Sequence, residues 1–184
     1  MASPISIVFH SGYGHTEKVA QAVAQGSGGR LLAIDAEGHL APEAWEQLAG
    51  SRAIVFGSPT YMGNVSWQFK KFADATSRVW AQQGWKDKLA AGFTNSASLN
   101  GDKLATLQAL FTLSQQHGML WVGTGMLPAN AKASTRDDLN HLASFSGLMT
   151  ATPSDASVNE MVPGDLATAR AFGERILAVV RRYN

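Results

Sequence analysis

The segment "HSGYGHT" (His10–Thr16) places two aliphatic hydroxyls, a tyrosine, two histidines and two glycines between an apolar run, Ile5–Phe9, and an amphipathic stretch that opens at Thr16. Gly12 and Gly14 let the backbone turn tightly and bare its N–H groups, while Ser11 and Thr16 add hydroxyl donors. Tyr13 and His15 stand between them. A helix starting near Thr16 aims its unpaired N–H groups and its positive dipole end at the same point. Such a place suits an anion, and a phosphate above all. Read alone, the loop is equally compatible with a Gly-rich connection in which Thr16 is an ordinary N-cap.

The type of phosphate follows from what the loop lacks. It has no GxxxxGK lysine and its glycines do not fit GxGxxG, so triphosphates and dinucleotides are disfavoured. A terminal monophosphate needs fewer donors, and FMN is the common cofactor with such a group at this place in an open α/β sheet. A phosphorylated receiver would need carboxylates for Mg²⁺, whereas the strand ends here present His10, Gly57 and Ser58. Two later loops point to the same crevice. Pro59, Thr60, Tyr61, Met62, Gly63 and Asn64 follow one strand, and a turn with Tyr61 or Met62 at its rim can flank a flat heterocycle. Thr94, Asn95, Ser96, Ala97 and Ser98 follow the next, with small polar groups for the edge of a ring or its ribityl chain. Each of these loops also reads as a plain turn when taken alone.

These loops need a frame. "ISIVF" (5–9), "RLLAID" (30–35), "RAIVFG" (52–57), "LAAGFT" (89–94) and "MLWVG" (119–123) are short, nearly continuous apolar runs, the pattern of strands covered on both faces. Helical stripes alternate with them: Val19, Ala20 and Val23; Phe69, Phe72 and Thr76; Leu104, Leu107 and Phe111. A last helix is predicted over 166–182 with Phe172, Ile176 and Val179 inward. Alternating βα units predict an α/β doubly wound, five-stranded parallel sheet in the order 2-1-3-4-5, with helices on both faces and residues 1–184 as a single domain. The polar stretch 127–162 is long for a loop in such a domain, which marks it as a flap or a disordered segment. Within it "GLMTAT" (147–152) reads as a continuation of the sheet edge.

Composition removes other functions. With 15 Lys+Arg against 14 Asp+Glu the formal net charge is +1, so no basic patch argues for nucleic acid. The absence of cysteine excludes disulfides, thiolate catalysis and iron–sulfur ligation. The histidines lack the paired spacing of a zinc site, so no metal is expected. No run reaches the ~20 apolar residues of a membrane helix, and the start of the chain lacks the pattern of a signal peptide; a soluble cytoplasmic protein is expected.

The pieces "SGYGHTEKVAQAVAQG", "FGSPTYMGNVSWQFKKFADATSRVW", "KLAAGFTNSAS" and "QQHGMLWVG", in that order, resemble the flavodoxin-like NAD(P)H:quinone oxidoreductases of the WrbA family. The resemblance covers most of the chain. It implies non-covalent FMN, reduced by NADH or NADPH, with two electrons passed to a quinone-type acceptor. It also implies a homo-oligomer, dimer or tetramer, in which neighbouring chains complete the pocket. By the same resemblance Ser11–Thr16 wrap the phosphate, Thr60–Met62 and Asn95–Ser98 border the flavin, and Tyr13 and Trp80 line the outer pocket for nicotinamide or quinone. Gln116 takes the place of the family histidine that faces the flavin, beside His117; either could assist protonation of a quinone oxygen, although an amide cannot act as a general acid. Tyr61 and Met62 stand where the family carries arginine and phenylalanine, and the insertion usual after the second strand is missing. Two other readings stay open: a flavodoxin-type electron carrier, against which the near-neutral charge speaks, and a flavin-free interaction protein on the same fold.

Overall fold

The computed structural model of the chain describes residues 3–183. β1 (Ile5–Phe9) pairs in parallel with β2 (Arg30–Ala33) on one side and β3 (Ala53–Tyr61) on the other. β3 continues to β5 (Leu89–Ser96), again in parallel, with Gly57 opposite Phe93 and Pro59 opposite Asn95. Between them a two-residue β4 (Asn64–Val65) folds back antiparallel on the end of β3. The fifth position of the sheet is divided. β6 (Leu120–Trp121) pairs with Leu89 and Ala90, and β7 (Leu148–Ala151) pairs with Phe93–Ser96. The order is therefore β2-β1-β3-β5 followed by a split edge, which is the expected 2-1-3-4-5 with its last strand interrupted.

The continuous apolar runs are explained by cover on both faces. Ile5, Ile7 and Phe9 of β1 point into one core with Val19, Val23, Phe172 and Ile176, while Val8 points to the other with Ile54, Phe56, Phe69, Phe72 and Trp85. The first face is covered by α1 (His15–Ser27) and α6 (Pro163–Arg182). The second is covered by α2 (Pro42–Gly50), α3 (Trp67–Ala75) and α5 (Lys103–Gln116), with the short α4 (Ser77–Ala81) after α3.

One expected stripe is corrected. α5 buries Thr106, Leu107, Leu110 and Ser114, and turns Leu104 and Phe111 outward. Phe111 packs edge-on against Trp121 of the split edge rather than into the core. In α6 Phe172 and Ile176 are buried as expected, Val179 packs half-buried against the same core, and Val180 is buried as well. Among the described residues no helix is long and apolar enough to cross a membrane.

α1 and α6 approach closely because two glycines face each other's backbones. A Cβ on Gly26 would overlap the carbonyl oxygen of Arg170, and one on Gly173 that of Val23. Gly173→Ala should therefore force the helices apart and lower stability by about 1–3 kcal/mol. Gly50→Ala, where a Cβ meets nothing within 4 Å, should change it by less than about 1 kcal/mol, in the stabilising direction. Urea unfolding of the two variants beside the unmodified chain measures the contrast.

Candidate functional site

Parallel strands deliver β1, β3 and β5 to the same end of the sheet, and there a cleft of ≈ 590 Å³ opens. Its lining includes Tyr13, His15 and Thr16 from the first loop, Pro59, Thr60 and Tyr61 from the end of β3, and Asn95, Ser96 and Ala97 from the end of β5. The volume falls within the ~300–1,000 Å³ of cofactor clefts.

The first loop is built from within. α1 starts at His15 after Gly14, whose φ of 88° a side chain would strain. The hydroxyl of Ser11 accepts hydrogen bonds from the N–H groups of Gly14 and Glu17, both 3.1 Å. Ser11 thus acts as the cap, and Thr16 lies inside the first turn rather than at the N-cap. The N–H groups of His15 and Thr16 have no protein acceptor among the described residues.

Buried hydroxyls tie the strand ends together. Thr60 donates to Thr106 Oγ1 of α5 at 2.8 Å and shares a 2.7 Å bond with Thr94. Ser66, which caps α3, bonds His10 Nδ1 at 2.8 Å, and its N–H donates to Ser58 Oγ. Asn95 Oδ1 accepts from Thr150 and Thr152 at 2.8 and 3.0 Å, which leaves its Nδ2 with no protein acceptor among the described residues at the wall of the cleft.

Aromatic side chains form the rim. The rings of Tyr13 and Tyr61 meet edge to face at 6.3 Å, and the Tyr61 hydroxyl lies 2.6 Å from where a Gly12 Cβ would be. Any side chain at Gly12 would push that phenol off the loop. Burial, then the neighbouring Tyr13, raise the Tyr61 pKa above its usual value, so the phenol keeps its proton. Met62 and Gly63 turn the β3–β4 hairpin with φ of 47° and 75°; Met62 is fully exposed at the tip and does not line the cleft.

One wall escaped sequence reasoning. Thr152, Ser154, Ala156, Ser157 and Val158 also line the cleft, and His15 Nε2 bonds Ala156 O at 2.9 Å. The only sequence signal was the length of the polar stretch containing them. Conversely, Trp80, Gln116 and His117 line a different hollow with Lys86 and Gly118. α5 has its first residue beside the cleft loop and its last at the opposite end of the strands, about 20 Å away at 1.5 Å per residue. Within one chain these three residues do not meet the cleft. Among the described residues no cluster of three or more His, Asp or Glu could hold a metal ion.

A family described as NADPH-dependent FMN reductase matches residues 35–134. The chain is 50% identical over 173 residues to "Flavodoxin FldP" of Pseudomonas aeruginosa (strain UCBPP-PA14), covering 94% of each. The crystal structure of a flavodoxin, WrbA-like protein from Agrobacterium tumefaciens superposes with a TM-score of 0.82 at 47% identity, covering 98% of each chain. The chain belongs to the WrbA-like, flavodoxin-fold FMN reductase family. A "NAD(P)H dehydrogenase (quinone)" of Paracoccus denitrificans (strain Pd 1222) is 29% identical, over 95% of this chain and 92% of its own. The donor set of the cleft fits the family's cofactor: free N–H groups at a helix start for a phosphate, and hydroxyls, an amide and aromatic rims for a flat ring.

Burial lowers the pKa of both His10 and His117. Such imidazoles take up protons more readily once the chain unfolds, so stability should fall as pH drops below the ordinary value near 6.5. Urea midpoints at about pH 7.5 and 5.5 should show that fall, and His10→Gln should flatten it.

Proposed function

We propose that this family member is an FMN-dependent oxidoreductase that takes two electrons from NADH or NADPH and passes them to a quinone-type acceptor. One observation supports it most: a cleft at the carboxyl ends of β1, β3 and β5 that joins free helix-start N–H groups to an aromatic rim. FMN, when bound, supplies hydride acceptance and two-electron delivery.

The residues have the remaining work. The N–H groups of His15 and Thr16, with the turn that Ser11 fixes, would hold the phosphate. Gly12 and Gly14 keep that approach open. Pro59, Thr60 and Tyr61 on one side, and Asn95, Ser96, Ala97 and Ser98 on the other, would border the ring, with Thr94 fixing Thr60 from below. Met62, Gly63 and Asn64 form the hairpin that carries Tyr61. Tyr13 and Tyr61 would exclude water and orient a flat donor or acceptor, the proximity contribution to the rate. The Tyr61 hydroxyl, protonated over the working range, can donate a hydrogen bond at the rim.

Trp80 and Gln116 line a hollow apart from the cleft, so any role in an outer pocket would belong to a homo-oligomer in which one chain completes the cleft of another. His117 is buried and neutral near pH 7, and its Nε2 bonds Thr76 Oγ1 at 2.8 Å, so it ties the end of α5 to the junction of α3 and α4 rather than facing a donor or acceptor.

The relative named flavodoxin at 50% identity favours a second reading, an electron carrier without nicotinamide turnover. The protein reconstituted with FMN should oxidise NADH or NADPH in the presence of benzoquinone. A carrier would exchange electrons with a chemical reductant yet leave nicotinamide untouched. Thr16→Glu, which sets a carboxylate among the free N–H groups, should weaken FMN binding at least tenfold in a fluorescence titration and, because Thr16 is buried, also lower the urea midpoint; an unaltered affinity of the folded protein would count against the phosphate assignment.

A further inference from the structure

Lys103 opens α5, where the helix dipole disfavours a cation, and it is 0% exposed. No carboxylate bonds it. Its ammonium donates to three successive carbonyls, those of Ser98, of Leu99 at 3.1 Å and of Asn100 at 3.3 Å. Asp165 of α6 and Arg136 of the segment before β7 act on it through space; Asp165 Oδ2 is bonded at 2.8 Å both by Arg136 and by the Ala151 N–H. Lys103, Asp165 and Arg136 together carry one net positive charge behind the loop, with Lys103 and Asp165 buried and Arg136 partly exposed. Burial brings the ammonium pKa down to about 8 despite Asp165, so holding the charge there works against folding. An apolar side chain would suit stability better.

The charged group achieves something an apolar one cannot. In a trans peptide the C=O of one residue and the N–H of the next point in opposite directions, and the chain has no cis peptide among the described residues. Drawing the carbonyls of 98–100 to one point therefore turns the N–H groups of Leu99, Asn100 and Gly101 away from the ammonium. None of the three has a protein acceptor among the described residues. The array is contiguous with Ser96 and Ala97, which line the cleft, and successive outward N–H groups favour negative charge.

We propose that Lys103 is a positioning residue of the cofactor edge: it sets the donor array of the loop 98–101 and backs it with a buried positive charge, so that the reduced, more anionic flavin is held more tightly than the oxidised one. This rests on the FMN reading of the cleft.

The test compares the full chain with Lys103→Met, using FMN itself as the probe. Oxidised FMN is titrated by fluorescence and the midpoint potential of the bound cofactor is measured spectroelectrochemically. Lys103→Met should weaken reduced FMN about tenfold more than oxidised FMN, a two-electron midpoint about 30 mV lower. Normal FMN binding by both proteins with equal midpoints overturns the role of Lys103 and leaves the FMN reading intact; failure of the unmodified chain to bind FMN overturns both. Should Lys103→Met not fold, the unmodified protein decides. Its midpoint should fall below the trend of free FMN above about pH 8 as the Lys103 ammonium loses its proton. A slope parallel to free FMN overturns the proposal.

Discussion

Polar groups buried at the carboxyl ends of β3 and β5 must find partners, and that requirement shapes the cleft. A hydroxyl shut away from water without a hydrogen bond costs on the order of 1–3 kcal/mol. Thr60, Thr94 and Thr106 meet the requirement in one chain that ties two strands to α5. Ser58, Ser66 and His10 meet it in another that ties β3 to α3 and the end of β1. Asn95 meets it through Thr150 and Thr152, which draws β7 into place. Each network satisfies a buried atom and fixes the take-off direction of a loop. The rigidity of the cleft and the packing of the sheet ends have one cause.

The networks also explain why the loops tolerate unusual conformations. Met62 holds a left-handed φ of 47° in a hairpin whose strands are pinned by Ser58 and Ser66 behind it. Asp102 holds φ of 54° directly before Lys103. Strained backbone of this kind costs about 1–3 kcal/mol and persists where its surroundings over-determine it.

Much of the frame was legible in the sequence because its signals are local. The apolar runs at β1, β3 and β5 read as strands since both faces of each are covered, and the Gly-bearing loop after β1 showed its chemistry in seven residues. The features that escaped depend on distant parts of the chain. Leu104 and Phe111 looked like a core stripe, but periodicity does not say which face of α5 meets the sheet, and the buried face turned out to include Thr106 and Ser114 with the apolar Leu107 and Leu110. Lys103 carries no signal in the sequence; nothing within its own segment reveals that Asp165 and Arg136 approach from residues far along the chain. The 152–158 wall has no motif, because it contributes backbone and small hydroxyls. Trp80 and Gln116 were aligned with the cleft by resemblance, and only the length and direction of α5 reveal that a single chain keeps them apart from it.

The divided fifth strand has a consequence for life in a crowded solution. An open α/β sheet ends in a row of unpaired amides and carbonyls that another chain could extend. Here that border offers two residues at β6, then a long detour, then four at β7, with four at β2 on the far side. Among the described residues no border run exceeds four residues, too short to template a stable foreign strand, so the same interruption that brings 152–158 over the cleft guards the molecule against sheet-to-sheet clumping.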